Sequence, residues 1–437
     1  MYRSISSGQR FGTSLFYFVV ICAAVIFTGC SKTVTQVETP ARAAEIAVPK
    51  DADPEVAQAL AMIERVPDSA MGYDQLAVIY LKKARRTGDF SLNRKAEIAI
   101  EKALTAAPDD ANSKKLQASL KLTFHEFEQA LTLGQEMLGS SPNDAFVYGI
   151  LTDAYFELGN YPEAIANAQK MVDLRPNSAA FARIAHIRSF HGDMKGAIDA
   201  YTKAARTADP ADPESQAWCL TQLGDEYWKY GKYSDAGRIY DEALSILPDY
   251  YLALISQGRN LASQNQLDAA ARTLEIATNR IPNVEGTILL GNIYQRLGQK
   301  EKADQQYALV EVIEAKLGVN NDQKRLATMW NDLDINPDRS LEIVRRESDL
   351  RNDILTNDAL AWALYKAGDL VSAQAAISSA MRLRTNDART LFHAGMIGKA
   401  LGNKLEAKRL LTEAVRTNPE FDPLQSDAAR AALAELK

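Results

Sequence analysis

Prolines recur along this chain at an almost constant interval. They stand 34 residues apart, with one step of 38, at Pro108, Pro142, Pro176, Pro210, Pro248 and Pro282. A second row, of alanines, keeps nearly the same period at Ala130, Ala164, Ala197, Ala236, Ala270, Ala303, Ala373 and Ala407. A repeat of about 34 residues is typical of stacked helical units, each of which contacts only its neighbours. The period therefore predicts one continuous all-α body and favours binding over catalysis.

The first 29 residues have the composition of a signal peptide. Arg3 and Arg10 precede an apolar run from Leu15 to Phe27, and that run is shorter than the roughly 17 to 25 residues of a membrane-spanning helix. The run ends at Thr28, Gly29 and Cys30, which resembles a bacterial lipoprotein signal, although Phe27 stands where that family usually has an aliphatic residue.

This resemblance implies that Cys30 is lipidated and becomes the mature N-terminus. Ser31, rather than an aspartate, then favours the outer membrane, with the protein facing the periplasm. Two alternatives stay open, namely an uncleaved anchor helix and a plain secretory signal with an incidental cysteine. Residues 30–54, with three prolines and no periodicity, are expected to be a flexible tether, and residues 55–437 to be the folded body.

The clearest repeat unit is 217–250. Leu220, Gly224 and Tyr227 lie on one helical face, and Ala236 and Tyr240 mark a second amphipathic helix after a glycine turn. These residues resemble the tetratricopeptide repeat family. The resemblance implies helix-turn-helix units stacked into a right-handed superhelical solenoid with an inner groove.

Nine recognisable repeats and one degenerate repeat at 319–353 fill most of the chain, and residues 424–437 are expected to form a capping helix. The rhythm breaks at two further places. About seven extra residues near 85–95 are expected to lengthen a turn, and four extra residues stand at 211–215.

The inner face of the first helix in each unit is the predicted binding surface. Multiples of 100° place Trp218, Asp225 and Lys229 together, opposite the packing residues of the unit. The candidate partner-binding residues are Phe146, Asp153, His186, Trp218, Asp225, Trp228, Arg259, Asn292, Trp362 and Tyr365. Aromatic rings interleaved with charges suit a protein or peptide ligand. The alternative is that the tryptophans pack between adjacent repeats.

Composition argues against several other functions. The net charge of −6 and the absence of a basic stripe exclude nucleic acid as an expected partner. No zinc-protease, phosphate-loop, dinucleotide or serine-hydrolase motif occurs, and carboxylates such as Asp225 and Glu226 are interpreted as charged helix faces. Cys219 is interpreted as a packing residue. We therefore expect a non-enzyme without cofactor, metal or small-molecule substrate.

The sequence thus predicts a lipid-anchored envelope scaffold that holds a protein or peptide partner in its concave groove. A periplasmic chaperone or carrier for exported clients is the main alternative, and it would have many weak clients where a scaffold has few stoichiometric ones. An enzyme that uses groove carboxylates is the third hypothesis.

Overall fold

The computed structural model describes residues 53–280, 282–317 and 323–436. The predicted signal peptide, Cys30 and nearly all of the predicted tether lie outside the described residues. The described part is all-helical, with 22 helices. The first eleven are α1 Pro54–Arg65, α2 Ala70–Thr87, α3 Ser91–Ala106, α4 Ala111–Thr123, α5 Phe127–Ser140, α6 Ala145–Glu157, α7 Tyr161–Leu174, α8 Ser178–Phe190, α9 Met194–Arg206, α10 Pro213–Lys229 and α11 Tyr233–Ile246. The others are α12 Tyr251–Ser263, α13 Leu267–Arg280, α14 Val284–Arg296, α15 Lys300–Leu317, α16 Lys324–Asp332, α17 Pro337–Leu350, α18 Ile354–Lys366, α19 Leu370–Ala380, α20 Ala388–Ala400, α21 Lys404–Thr417 and α22 Gln425–Glu435.

Consecutive helices pack as ten pairs, from α2 with α3 to α20 with α21. Helix α1 packs on α2 before the first pair, and α22 packs on α21 after the last. The predicted solenoid of helix-turn-helix units is therefore confirmed, and the degenerate repeat supplies a pair of its own, α16 with α17. No helix in the described ranges combines the length and the apolar character needed to cross a membrane.

Small residues let the two helices of a pair approach closely. A Cβ atom on Gly224 of α10 would lie 2.7 Å from Cδ1 of Tyr240 on α11, closer than real side chains pack. The same arrangement recurs sixteen residues apart in three other pairs, at Gly258 with Leu274, Gly291 with Tyr307 and Gly395 with Leu411. Packing of this density makes each added methyl group costly.

The two insertions in the repeat rhythm lengthen helices. Helix α2 has 18 residues and α10 has 17, where most first helices have 13. The expectation of a longer turn near 85–95 is wrong, because only residues 88–90 separate α2 from α3. The added turns meet each other, since Arg85 Nε donates to Glu214 Oε2 at 3.3 Å. The Tyr250 hydroxyl donates to the other carboxylate oxygen, Glu214 Oε1, at 3.0 Å. The insertions therefore join parts of the array that are 129 residues apart.

A line of contacts, which we call the seam, joins two distant parts of the array. On one side are the turns between the two helices of the middle repeats, and on the other are the segments that connect the last repeats. The Ile354 amide donates to the Tyr161 hydroxyl at 2.8 Å, and Asn418 Nδ2 donates to the Trp228 carbonyl at 2.9 Å. Farther along, Arg296 donates to the carbonyl of Pro423 at 3.0 Å. Partners in the first two contacts are 193 and 190 residues apart. The solenoid thus winds far enough for one part of the superhelix to rest on an earlier part.

Arg351 is a buried cation at the seam, with 3% of its side chain exposed. Its guanidinium lies 3.2 Å from Glu157 and 3.4 Å from both Glu347 and Asp353, and it stacks over the ring of Phe127. A buried cation among three carboxylates is costly to remove, because the carboxylates lose their compensation. The end of the degenerate repeat therefore supplies a central seam residue.

Candidate partner-binding surfaces

An open groove of about 1670 Å³ lies along the first three helix pairs. We call it the N-terminal groove. Helix α1, one face of α2 and the N-terminal ends of α4 and α6 form its walls. Its side chains include Glu55, Gln58, Asp68, Met71, Asp74, Gln75, Val78, Lys82, Asp110, Asn112, Lys115, Leu116, Asp144, Phe146 and Arg175.

Two large apolar side chains are exposed in the N-terminal groove. Met71 is 67% exposed and Phe146 is 48% exposed. They occupy the second position of α2 and of α6, and Asn112 occupies the same position of α4 between them. The three residues therefore form a row across successive repeats, and its two apolar ends are open to a partner.

Two carboxylates of the N-terminal groove share a single hydroxyl group. The Ser113 Oγ atom lies 2.8 Å from Asp74 Oδ1 and 3.1 Å from Asp110 Oδ1. A hydroxyl has one hydrogen, so it cannot satisfy both acceptors fully. Burial and the neighbouring Asp110 raise the pKa of Asp74 above its usual range, although the Ser113 hydrogen bond opposes the shift. By contrast, the pKa of Asp110 is lowered, chiefly by hydrogen bonds from the backbone of Ser113 at the start of α4.

A smaller cavity of about 360 Å³, the inner cavity, lies among the first helices of the later repeats. Ion pairs between successive repeats cross its wall. Arg259 lies 2.6 Å from Asp225 and 3.6 Å from Glu285, and Arg325 lies 3.7 Å from the same glutamate. Burial alone would raise the pKa of Glu285, but Arg325 and Arg259 outweigh it and hold that pKa below its usual range.

A second ion-pair group closes the other side of the inner cavity. Arg389 pairs with Asp422 and lies 3.4 Å from Asp332. Burial raises the pKa of Asp332 in spite of Arg389. The charges of the inner cavity thus bind one another, and they hold repeats together without a ligand.

Among the sequence-predicted residues, Phe146 lies in the N-terminal groove, whereas Trp228, Arg259 and Asn292 line the inner cavity. Trp228 is 9% exposed, donates from Nε1 to Ser263 Oγ at 2.9 Å and carries the Arg259 guanidinium over its ring. Asn292 is buried and accepts a hydrogen bond from a tyrosine hydroxyl of the next helix. Trp228 and Arg259 thus connect neighbouring repeats, whereas Asn292 links the two helices of its own repeat.

The other predicted residues also pack between repeats. Asp153 pairs with Arg183 of the next unit at 2.8 Å, as Asp225 does with its arginine. Trp218 is half-buried and packs against an apolar cluster that extends from α8 to α12. Trp362 is 2% exposed and stacks on Tyr365 of its own helix with ring centroids 4.9 Å apart. On its other side it stacks on His393 of the next repeat with ring centroids 4.2 Å apart. The packing alternative therefore describes the tryptophans, and a direct role of these residues in partner binding stays a prediction.

His186 lies among aromatic rings. Its ring centroid is 4.8 Å from that of Phe156 and 4.6 Å from that of Phe190. Burial, with smaller effects of Lys229 and Arg183, lowers the pKa of His186 to about 3. The imidazole is therefore neutral at physiological pH and acts as a packing group.

Two interpretations of single polar residues are decided by burial. Glu226 is fully buried and accepts a hydrogen bond from Ser189 Oγ at 2.7 Å, so its interpretation as part of a charged helix face is wrong. Cys219 is buried, and burial raises the pKa of its thiol to about 11, which confirms it as a packing residue. Within the described ranges no group of three or more His, Cys, Asp or Glu side chains is arranged to hold a metal ion.

The groove residues Met71, Asp74 and Asp110 were not among the sequence candidates. Met71 has the same place in α2 as Phe146 has in α6, so a comparison of equivalent helix positions could have found it. The two aspartates gave no signal, because their proximity depends on how α2 packs beside α4.

One repeat of the chain matches a known protein family. A family model described as tetratricopeptide repeat matches residues 388–421. Anaphase-promoting complex subunit 3 of Schizosaccharomyces pombe is 22% identical over 184 residues, 42% of this chain and 27% of that protein. Protein SGT1 homolog of Oryza sativa subsp. japonica is 37% identical over 73 residues, 17% of this chain and 19% of that protein. The matches thus span about a quarter and about a fifth of these relatives. Among solved structures, the human IFIT1 dimer with PPP-AAAA is 14% identical to this chain, with a TM-score of 0.46. The match covers 85% of this chain and 96% of the IFIT1 chain.

Proposed function

We propose that this chain, a tetratricopeptide repeat protein, is a lipid-anchored scaffold of the bacterial envelope that holds a protein or peptide partner in its N-terminal groove. The observation that carries the proposal is the groove itself, which is open and presents Met71 and Phe146 to solvent. Repeat arrays of this type commonly use such extended surfaces to bind other proteins.

The N-terminal leader supports the envelope part of the proposal. Lipidation at Cys30 would tie the chain to the outer membrane, on its periplasmic side. A coil of the length of residues 30–54 has a root-mean-square reach of roughly 25 to 30 Å. The groove begins at Glu55 on α1, directly after that segment, so a partner would be held close to the membrane.

Site-specific photocrosslinking in the native envelope tests the binding surface. A photoreactive phenylalanine is placed at Met71, at Phe146 and, as a control, at Leu405, which is 86% exposed on α21 and lies outside both cavities. We expect one or a few stoichiometric partners at positions 71 and 146 and none at 405. A partner captured at 405 alone would reject the groove, and many weak products would favour the chaperone or carrier.

The anchor is tested separately. Cells that express the full chain or its Cys30→Ala variant are labelled with a fatty acid, and membrane fractions are separated. We expect label on the wild type, in the outer-membrane fraction, and none on the variant. Label on both proteins, or on neither, would contradict the lipid anchor without affecting the groove.

A further inference from the structure

We infer that the N-terminal groove takes a basic segment of its partner, in which a lysine or arginine is flanked by large apolar side chains. This inference rests on the proposed function, because it assumes that the groove holds a protein segment. Three features of the groove support it: an uncompensated carboxylate pair, an apolar row beside that pair, and an excess of acids in the lining.

The carboxylate pair has no ion-pair partner among the residues that the structure describes. Asp74 and Asp110 converge on the Ser113 hydroxyl, and no described lysine or arginine lies within ion-pairing distance of either carboxyl. An ammonium group has three donors and a guanidinium has five, so either could bond both carboxylates at once. Charge-assisted hydrogen bonds of this kind are among the stronger ones in proteins.

The apolar row lies on the same helix ends as the carboxylates. Met71 precedes Asp74 by one helical turn on α2, and Asp110 caps α4 next to the row position at Asn112. Phe146 continues the row on α6. A segment that places its cation on the carboxylates therefore brings its flanking side chains over Met71 or Phe146. Methionine and aromatic residues are well suited to such contacts.

The remaining charges disfavour an acidic segment. Acids outnumber cations five to three in the lining of the groove. Lys115, one of the lining cations, is already paired with Asp144. An acidic peptide or a nucleic acid would place negative charge against Asp74 and Asp110.

A selection from random 12-residue peptides displayed on phage, with the full chain immobilised in detergent, tests the inference. We expect enriched sequences to carry a lysine or arginine between apolar residues. The selected peptide, labelled with a fluorophore, should bind the Asp74→Asn/Asp110→Asn variant about tenfold more weakly, the change produced by losing roughly one charge-assisted contact. Asparagine is a good N-cap, so α4 keeps its start in this variant. The Phe146→Ala variant should also weaken binding severalfold.

Asp268→Asn is the matched control, because Asp268 is exposed on α13, outside the groove. Thermal unfolding of each variant tests whether the fold is kept. If the double variant does not fold, the binding measurement is made with Asp74→Asn alone. Acidic consensus sequences, no enrichment, or equal binding by wild type and the asparagine variants would overturn the inference. Crosslinking at positions 71 and 146 detects a partner of any charge, so it can succeed while this inference fails.

Discussion

The close contact at the seam predicts that an alanine at Gly159, in the turn between α6 and α7, destabilises the fold. Gly159 has φ +81°, and a Cβ atom there would lie 2.6 Å from the carbonyl carbon of Asn352 and still closer to its oxygen. Gly159→Ala should therefore do two things. It should strain a left-handed turn, and it should push the seam apart.

The chain contains a matched control for the first effect. Gly368 has φ +82° in the equivalent turn between α18 and α19, and a Cβ atom there would meet nothing within 4 Å. An alanine in the left-handed region costs about 1–2 kcal/mol, so both variants should lose that much free energy of unfolding. The difference between the two variants then measures the seam alone.

The seam near Gly159 offers three hydrogen bonds that displacement would break. The Asn352 amide donates to the Leu158 carbonyl at 3.4 Å, Arg382 donates to the Gly159 carbonyl at 3.4 Å, and the Ile354 amide donates to a tyrosine hydroxyl at 2.8 Å. At a net value of about 1 kcal/mol each, their loss would cost roughly 3 kcal/mol more. Gly159→Ala should therefore destabilise the protein by about 4–5 kcal/mol, against about 1–2 kcal/mol for Gly368→Ala.

Two measurements together check this prediction. Urea unfolding gives the free-energy differences, and hydrogen exchange reports on the Ile354 amide, whose seam bond should open in Gly159→Ala and stay protected in Gly368→Ala. If both variants lose the same stability and the Ile354 amide exchanges equally in both, then the seam does not hold the array together.

Three further predictions concern single packing features. Arg351→Met leaves buried carboxylates at the seam without their cation and should cost about 3–5 kcal/mol in urea unfolding, whereas Arg409→Met on an exposed face of α21 should cost less than about 1 kcal/mol. Equal losses would show that the seam cation adds nothing to stability. In Gly224→Ala the new methyl group meets a tyrosine ring, so the free energy of unfolding should fall by about 1–3 kcal/mol. In Gly398→Ala of α20 the methyl group makes ordinary contacts, so the free energy of unfolding should rise by about 0.5–1 kcal/mol through helix propensity, and a rise in both variants would refute the close-packing argument. The pKa of His186, at about 3, lies below its unfolded value, so the unfolded chain binds the extra proton and stability falls as the pH drops below about 6.5. His186→Phe should remove up to roughly 1.4 kcal/mol per pH unit of this loss between pH 6 and 4 in thermal unfolding, and identical slopes for both proteins would contradict it.

The repeat period predicted the helix pairs well because a helix pair is a local object. Gly224 and Tyr240 are sixteen residues apart, and their contact follows from helical spacing and one short turn. Contacts between neighbouring repeats follow the same logic, since Asp225 and Arg259 stand one period apart and meet at 2.6 Å. Opposite charges at that spacing therefore indicate an ion pair that links one repeat to the next.

The seam could not be predicted in this way. Whether Asn352 meets Gly159 depends on the small rotation added by each of several intervening repeats, and no local pattern reports their sum. The irregular places in the sequence nevertheless coincide with long-range contacts. One insertion carries Arg85, another carries Glu214, and the degenerate repeat ends at Arg351. Breaks in a repeat rhythm are therefore useful signals, because they mark where the array departs from nearest-neighbour packing.

The inner face of a first helix serves packing in one part of this molecule and is open in another. At Trp228 this face meets the next repeat and the returning segment near Asn418, so its surface is covered. At Met71 and Phe146 the corresponding region of the first repeats borders a groove, so large apolar side chains remain exposed there. Residue type alone therefore does not separate a binding surface from a packing surface in this array. The position of the inner face relative to the seam separates them, and for that reason we propose the first three repeats as the binding surface.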